Sequence, residues 1–533
     1  MRRKPPETWL MGVLVAAAIV RLPFLASRSV WYDEASSWQT ASFAWSEIWG
    51  SLQFNVHLPE YYYLLKLWML AWGESVVALR LFSVLFGVLA IFGAYLFAVA
   101  VYPLTALATP PPDAATNEAL PGGPDNRRTL DDRTAAAARG FGLWVAAATA
   151  ASAYQVFAAV EARMYALSVA GAAFSGWLCL KCLEPGVGAR RWAAYATVTT
   201  AFLYTHHFAL LTVAAQTIVV VGAARRCRSI RRPALAAFGG MALAYLPAGM
   251  LLTHQFGRVQ REYWIGPLQI DTIPRTLVDF ILPLDHAFDH RLETSMILAG
   301  ELALLIVVSL AWRSRAGERA LLWNMLLPLA VTAAVSLRTP LWEMRYFRFC
   351  HLYWVVGAVA AAWRVAGRGM IARHGVSGII VALGAAATGG FWYLRDIPHR
   401  PGMAGAMHEL AARRGGDEPV LVAGILNYFP AKLYAANDRR VGRDAIRLLP
   451  PETIGQWDRH LLRAADLAVL PDAVRHANRG FWLIESSRDR WPQAARDAAL
   501  ANQNLHLVQQ WNYDFDWGSP QWPVRLSHYV RRR

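Results

Sequence analysis

The sequence predicts an α-helical polytopic membrane protein with about 11 transmembrane helices and a C-terminal α/β soluble domain on the outer face. Three observations predict it. Only 17% of the 533 residues are charged and 56% are hydrophobic, against about 25% charged in ordinary soluble chains. Long apolar runs alternate with short Arg-rich connectors as far as residue 394. From Arg395 onward the chain turns polar, so lipid gives way to water as the solvent.

Met1 to Lys4 carry three basic residues ahead of an apolar run from Trp9 to Leu25. Many spans follow, so this run reads as a retained first helix with its N-terminus inside, not a cleaved signal. A span needs about 20 apolar residues. That criterion places spans near 8–25, 77–101, 140–158, 163–183, 192–207, 208–224, 234–252, 293–312, 320–337, 346–363 and 376–394. An odd number puts the termini on opposite sides. The connectors at 189–191, 224–232, 312–319 and 363–373 are basic, as expected inside the cell, whereas 253–292 holds Glu262, Asp271, Asp279, Asp285 and Asp289. The same rule accounts for the net charge of +16, so no nucleic-acid partner is expected. A multi-pass protein of a bacterial inner membrane is expected.

Residues 1–394 form the expected membrane domain, with an outer loop at 26–76 and a disordered cytoplasmic linker at 102–139. That linker is rich in Pro, Gly, Asn and Asp and cannot bury enough surface to fold. Residues 395–533 form the expected outer α/β domain. There, 418–425 and 465–471 read as short buried strands, 506–517 as an edge strand, and 401–415 as a helix ending at Gly415. None of the four cysteines lies in this part, so no disulfide framework is expected. Cys179 and Cys182 form a CxxC at the end of an apolar helix, where buried thiols are ordinary.

The chemistry-bearing residues cluster at the outer ends of the spans. Asp33 and Glu34 lie in WYDEASSW (31–38); a carboxylate here could take a proton from an attacking hydroxyl, or face water among interfacial aromatics. HLPEYYYLLKLW (57–68) suits an amphipathic helix on the interface, where His57 and Lys66 could meet an anionic head group or Lys66 could simply snorkel. EARMYAL (161–167) opens the fourth span. Glu161 and Tyr165 are four apart on one helix face, and Arg163 is a ligand for phosphate or a local partner for Glu161. His206 and His207 read as turn histidines or ligands for a divalent metal. In EMRYFRF (343–349), Arg345 and Arg348 are three apart on the outer side, against the positive-inside bias; a lipid phosphate explains them, and Glu343 is the alternative partner.

In this order the pieces resemble the GT-C membrane glycosyltransferases, in particular the branch of protein O-mannosyltransferases and aminoarabinose transferases. The matching residues are Asp33-Glu34, 57–68, VALRLFSVLFG (77–87), EARMYAL (161–167) and Arg345-Tyr346. The likeness covers roughly 8–395. It implies inverting transfer of a sugar from a polyprenyl-phosphate carrier to a lipid, glycan or protein acceptor at the outer membrane surface. Asp33 would be the base with Glu34 beside it, and Arg163 and Arg345 would hold the carrier phosphate. His57, Lys66, Glu161, Tyr165, His206, His207 and Tyr346 complete the expected substrate site. Leu58-Pro59-Glu60 departs from the usual Pro-Pro-Leu, and Glu60 adds a charge beside the cavity. Metal use varies in the wider family, and no cofactor is assigned. A transporter or lipid flippase is the alternative reading, although related halves and interrupted mid-membrane helices are not evident in the sequence.

Overall fold

The computed structural model describes residues 6–108, 124–260, 265–283, 292–395, 399–415, 418–449, 459–467, 480–486, 490–502, 504–514 and 523–531. A helix lies at every predicted span. These are α1 (Pro6–Arg21), α6 (Val76–Val101), α7 (Pro124–Ala151), α9 (Tyr165–Cys182), α10 (Ala189–Leu203) and α11 (Ala209–Arg226), followed by α12 (Arg231–Val259), α14 (Leu292–Ala311), α15 (Ala316–Ser336), α16 (Arg348–Val365) and α17 (Met370–Arg395). Among the described residues, eight helices are long and apolar enough to cross a membrane, or nine if one bent pair counts as a span. This is a polytopic integral membrane protein. The predicted eleven exceed that number for physical reasons. The 15 residues of α10 rise only about 22 Å, and Arg348, His351 and Arg364 dilute the hydropathy of α16.

The predicted span at 140–158 is broken. Ser152 ends α7 and caps α8 (Ala153–Ala159) by accepting from Gln155 N, and the two helices meet at 67°. Tyr102–Leu104 form a 3-10 turn with Tyr102 and Leu107 buried, and helix α7 begins at Pro124, so the disorder expected over 102–139 extends neither to 102–108 nor to 124–139; residues 109–123 lie outside the described residues. So do Glu262, Asp285 and Asp289 of the predicted acidic loop, whereas Asp271 pairs with Arg275 at 2.7 Å. Small residues let the spans approach closely. A Cβ on Gly93 of α6 would sit 2.7 Å from Ala173 of α9, and one on Gly87 would sit 2.5 Å from Ala159.

The first connector folds into α2 (Phe24–Ser27), α3 (Tyr32–Ser42), α4 (Trp45–Leu52) and α5 (Glu60–Trp72). Helix α5 buries Tyr61, Tyr62 and Leu65 and exposes Leu67, Leu70 and Trp72, the two-sided character of an interfacial helix. Helix α13 (Thr272–Ile281) lies in the connector before α14.

Beyond α17 come α18 (Gly402–Arg413), β1 (Val420–Ala423), α19 (Ile425–Ala436), β2 (Ile446–Leu449), β3 (Gly480–Ser486), α20 (Gln493–Asn502), β4 (Leu505–Tyr513) and β5 (Val524–Arg531). The sheet order is β2-β1-β3-β5-β4. Strand β1 pairs in parallel with β2 and β3, while β5 pairs antiparallel with β3 and β4. The strand predicted at 418–425 is therefore β1, and the predicted edge strand is β4. Of the strand predicted at 465–471, Leu467 makes only a single bridge to Leu448; residues 468–471 and 515–517 lie outside the described residues.

Helix α19 packs directly on α3. Val30 N donates to Tyr434 Oη at 3.0 Å, Ala404 N donates to Ser29 Oγ at 3.2 Å, and the Tyr32 and Phe429 rings lie 6.1 Å apart. One apolar core runs from Trp38 and Tyr61 through Tyr428 and Phe429 to Trp482 and Leu526. The first connector and the sheet thus share one face of the helical bundle.

Candidate active site

Trp31 ends an extended approach, and α3 starts at Tyr32, placing Asp33 and Glu34 in its first turn. The helix N-terminus favours both anions. Neighbouring residues on a helix point about 100° apart, so the two carboxylates part company.

Glu34 turns to α6 and is 1% exposed. Arg80 grips it with two bonds, Nε to Oε1 at 2.8 Å and Nη2 to Oε2 at 2.7 Å. The same guanidinium donates to the carbonyls of Leu25, Arg28 and Ser29 at 2.8, 2.7 and 3.0 Å. Ala162 N adds a bond to Oε1 at 3.0 Å. Burial opposes ionisation of Glu34, but the charge and hydrogen bonds of Arg80 outweigh it and hold the carboxyl below the usual range. Glu34 therefore ties the connector to the bundle instead of facing substrate beside Asp33, as the motif alone implied.

Asp33 turns the other way and keeps 21% of its side chain exposed. Its Oδ2 takes Arg345 Nη1 at 2.9 Å and lies 3.7 Å from Arg163 Nη2. Arg163 also donates to Asp33 O at 3.1 Å and Ser37 Oγ at 2.9 Å. Its Nη2 meets His57 Nε2 at 2.9 Å. Burial and the nearby Arg163 hold the His57 ring well below its ordinary pKa, so the ring is neutral and accepts through Nε2. The remaining proton then sits on Nδ1, a buried atom without a hydrogen-bond partner. Arg345 contacts Glu343 at 3.2 Å and lies over the Trp31 ring, 5.1 Å from its centroid. Burial disfavours charge on Arg163, but Asp33 leads the groups that keep it protonated. For Arg345, Tyr165, Glu343 and Asp33 outweigh burial in the same way.

Helix α9 starts only at Tyr165, so Glu161 and Tyr165 do not share a helix face. Residues 160–164 form an irregular bend, and Arg163 points from it toward Asp33. Glu161 pairs not with Arg163 but with Arg348, at 2.8 Å, in a buried bridge. The Arg348 guanidinium lies 4.4 Å from the Tyr165 ring centroid and 4.7 Å from that of Phe157. Arg345 sits in a 3-10 turn, Met344–Phe347, and Arg348 begins α16; the two arginines contact different carboxylates, Arg345 those of Asp33 and Glu343 and Arg348 that of Glu161. The Tyr346 ring lies tilted against His206, with centroids 5.0 Å apart.

Lys66 is not brought to Asp33. Its ammonium donates to Ala41 O and Phe43 O at 3.3 and 2.7 Å, closing the C-terminal end of α3. His207 pairs instead with Gln255, whose Nε2 donates to Leu52 O and His57 O at 2.8 and 3.2 Å. Burial lowers His206 to about 3 and His207 to about 4, so both rings are neutral. Burial also lifts Glu60 to about 8; the extra charge expected beside the cavity is neutralised by protonation near pH 7. Among the described residues no three His, Cys, Asp or Glu side chains converge as metal ligands.

Two contributors were missed from sequence: Arg80 as the partner of Glu34, and Ser37 on Arg163. The signal for Arg80 was there, as an arginine within a long apolar helix demands a partner. Ser37 carried none.

No family model matches the sequence, and no curated protein matches it. Among solved structures, ArnT from Cupriavidus metallidurans in the apo state is similar with a TM-score of 0.57, 12% identity and 98% of each chain covered. The chain shares the fold of this ArnT structure. ArnT bound to undecaprenyl phosphate gives a TM-score of 0.55 at 12% identity, over 97% of this chain and 98% of that one. The oligosaccharyltransferase AglB from Archaeoglobus fulgidus, with an inhibitory peptide and a dolichol-phosphate, gives 0.48 at 10% identity, over 90% of this chain and 69% of that one. At these identities the likeness concerns the fold.

Proposed function

We propose that this protein is an inverting glycosyltransferase using a polyprenyl-phosphate sugar as donor, at the outer face of a bacterial inner membrane. The observation that carries the reading is the meeting of Asp33, Arg163 and Arg345, from three separate segments, with Arg345 at 2.9 Å and Arg163 at 3.7 Å from one carboxylate oxygen. A partly exposed carboxylate with two guanidiniums beside it supplies the two things such a transfer requires. Asp33 accepts the proton of the acceptor hydroxyl as its oxygen bonds to the anomeric carbon. The bond from that carbon to the phosphate oxygen breaks, its electron pair leaves on the phosphate, and Arg163 and Arg345 stabilise the growing charge. The neutral His57, the buried Tyr165 hydroxyl without a hydrogen-bond partner, and Tyr346 offer contacts for sugar and phosphate oxygens. In this reading residues 1–394 carry the reaction and 395–533 cover the site from outside. The donor sugar is a hexose or pentose and the acceptor a lipid, glycan or protein. The fold shared with an ArnT that binds undecaprenyl phosphate supports this donor.

The test supplies labelled polyprenyl-phosphate sugars to membranes holding wild-type protein or Asp33→Asn. Transfer by wild type and its loss in the variant is expected. Equal transfer by both removes Asp33 as base; failure of wild type with every donor favours a transporter.

A further inference from the structure

We infer that Asp33 is masked in the resting protein and that the incoming carrier phosphate unmasks it by drawing the arginines away. The inference rests on the transferase reading and adds an order of events to it. The Arg345 guanidinium lies between two carboxylates, Asp33 at 2.9 Å and Glu343 at 3.2 Å. Arg163 reaches the same Asp33 oxygen at 3.7 Å while bonding Ser37 and His57. Within this group, two carboxylates balance two guanidiniums. The Glu161–Arg348 bridge beneath it is likewise internally balanced and 3% exposed or less. Glu34 on the other side of α3 faces both Arg80 and Arg28, but within the Asp33 group itself a phosphate meets no guanidinium that lacks a carboxylate neighbour. A phosphate must compete with Asp33 for donors that Asp33 already engages.

The competition has a chemical consequence. The bond from Arg345 occupies Asp33 Oδ2, the carboxylate oxygen that both guanidiniums face, so a hydroxyl approaching that oxygen meets the arginines first. A phosphate offers more acceptor oxygens in the tetrahedral spacing that guanidinium forks suit. Once it takes Arg345, Asp33 Oδ2 is released next to the anomeric carbon carried by that phosphate. The proton then passes from acceptor hydroxyl to Asp33 as the sugar leaves the phosphate; unmasking itself makes and breaks no covalent bond. Oδ2 is thus released only with donor in place, and acceptor alone meets that oxygen already bonded to Arg345.

The discriminating measurement is binding of undecaprenyl phosphate to full-length protein in nanodiscs. Asp33→Asn abolishes transfer yet binds the lipid more tightly, by about threefold to tenfold given the worth of partly exposed ion pairs. Glu343→Gln tightens it in the same direction and by less, which keeps the test decisive should Asp33→Asn misfold. Unchanged or weaker binding by a folded Asp33→Asn, or by a folded Glu343→Gln, overturns the masking. Arg345→Met and Arg163→Met report on the reading beneath it. If neither weakens binding, the phosphate site itself is wrong; if both weaken it and the carboxylate variants do not tighten it, only the masking falls.

Discussion

Replacing Arg80 by methionine tests how the first connector is held. The substitution keeps the volume and apolar stem but removes five bonds, two to Glu34 and three to the carbonyls of Leu25, Arg28 and Ser29. What remains is a carboxylate 1% exposed with Ala162 N at 3.0 Å and Arg28 at 3.9 Å. Breaking a buried pair from one side costs about 3–5 kcal/mol, because the other charge stays buried. Removing both charges in Arg80→Met/Glu34→Leu recovers part of this. The three carbonyls still lack donors, at about 1 kcal/mol or more each, so the double variant falls between single and wild type. Arg80→Lys ranks near Arg80→Met, since one ammonium cannot replace a planar fork over five acceptors. The assay is thermal unfolding of purified protein in one detergent, with hydrogen exchange of residues 28–42 read alongside. Equal melting temperatures for wild type and a correctly inserted Arg80→Met would refute the reasoning. So would a double variant no better than the single.

Acid should act through the same pair. The Glu34 carboxyl is held below its usual range by Arg80, so its stabilisation is fully present above the unfolded value of about 4.3 and is lost as pH falls through the lower folded value; Arg80→Met/Glu34→Leu is expected to remove this part of the acid limb in melting curves. Lys66→Met loses two bonds to the end of α3 and about 1–3 kcal/mol of stability, while KM for donor stays near wild type; a large rise in KM would return Lys66 to the site. Tyr434→Phe leaves Val30 N without its acceptor at a cost of about 1–3 kcal/mol, seen as faster hydrogen exchange at residues 30–38 with unchanged exchange in β3. Replacing Cys179 and Cys182 together by alanine leaves transfer insensitive to oxidant or reductant, since both thiols are free and buried; lost activity in a stably folded variant would contradict that.

Hydropathy made the helix positions legible because a bilayer admits few other ways to satisfy a backbone. It could not mark the break at Ser152, where the residues stay apolar while the axis turns, nor the helical stretch from Pro124, whose polar sequence resembles a linker. The convergence of Asp33, Arg163 and Arg345 was legible as ionisable residues at span ends on one face. Their pairing was not. Sequence proximity offered Glu161 as a local partner for Arg163 and set Arg345 on one face with Arg348; the bend before Tyr165 instead sends Arg163 to Asp33, and Glu161 finds Arg348 across the bundle. Lys66 was misread because an ammonium at an interface and one closing a helix end look identical in a string. Local spacing predicts faces of regular helices, and the site is built mostly from places where the helices stop.

The seam between α3 and α19 carries a consequence for anyone dividing this chain. Phe429 and Tyr434 belong to the polar-looking tail by position, yet they complete the wall against which Val30 and Tyr32 rest. A cut near residue 396 would strand two sticky surfaces, one on the membrane half and one on the excised sheet. The excised half should precipitate or dimerise through α19, and the membrane half should lose its hold on the very turn that bears Asp33. Grafting a tail from another protein would work only if the new helix reproduced this one stripe, whatever its strands looked like.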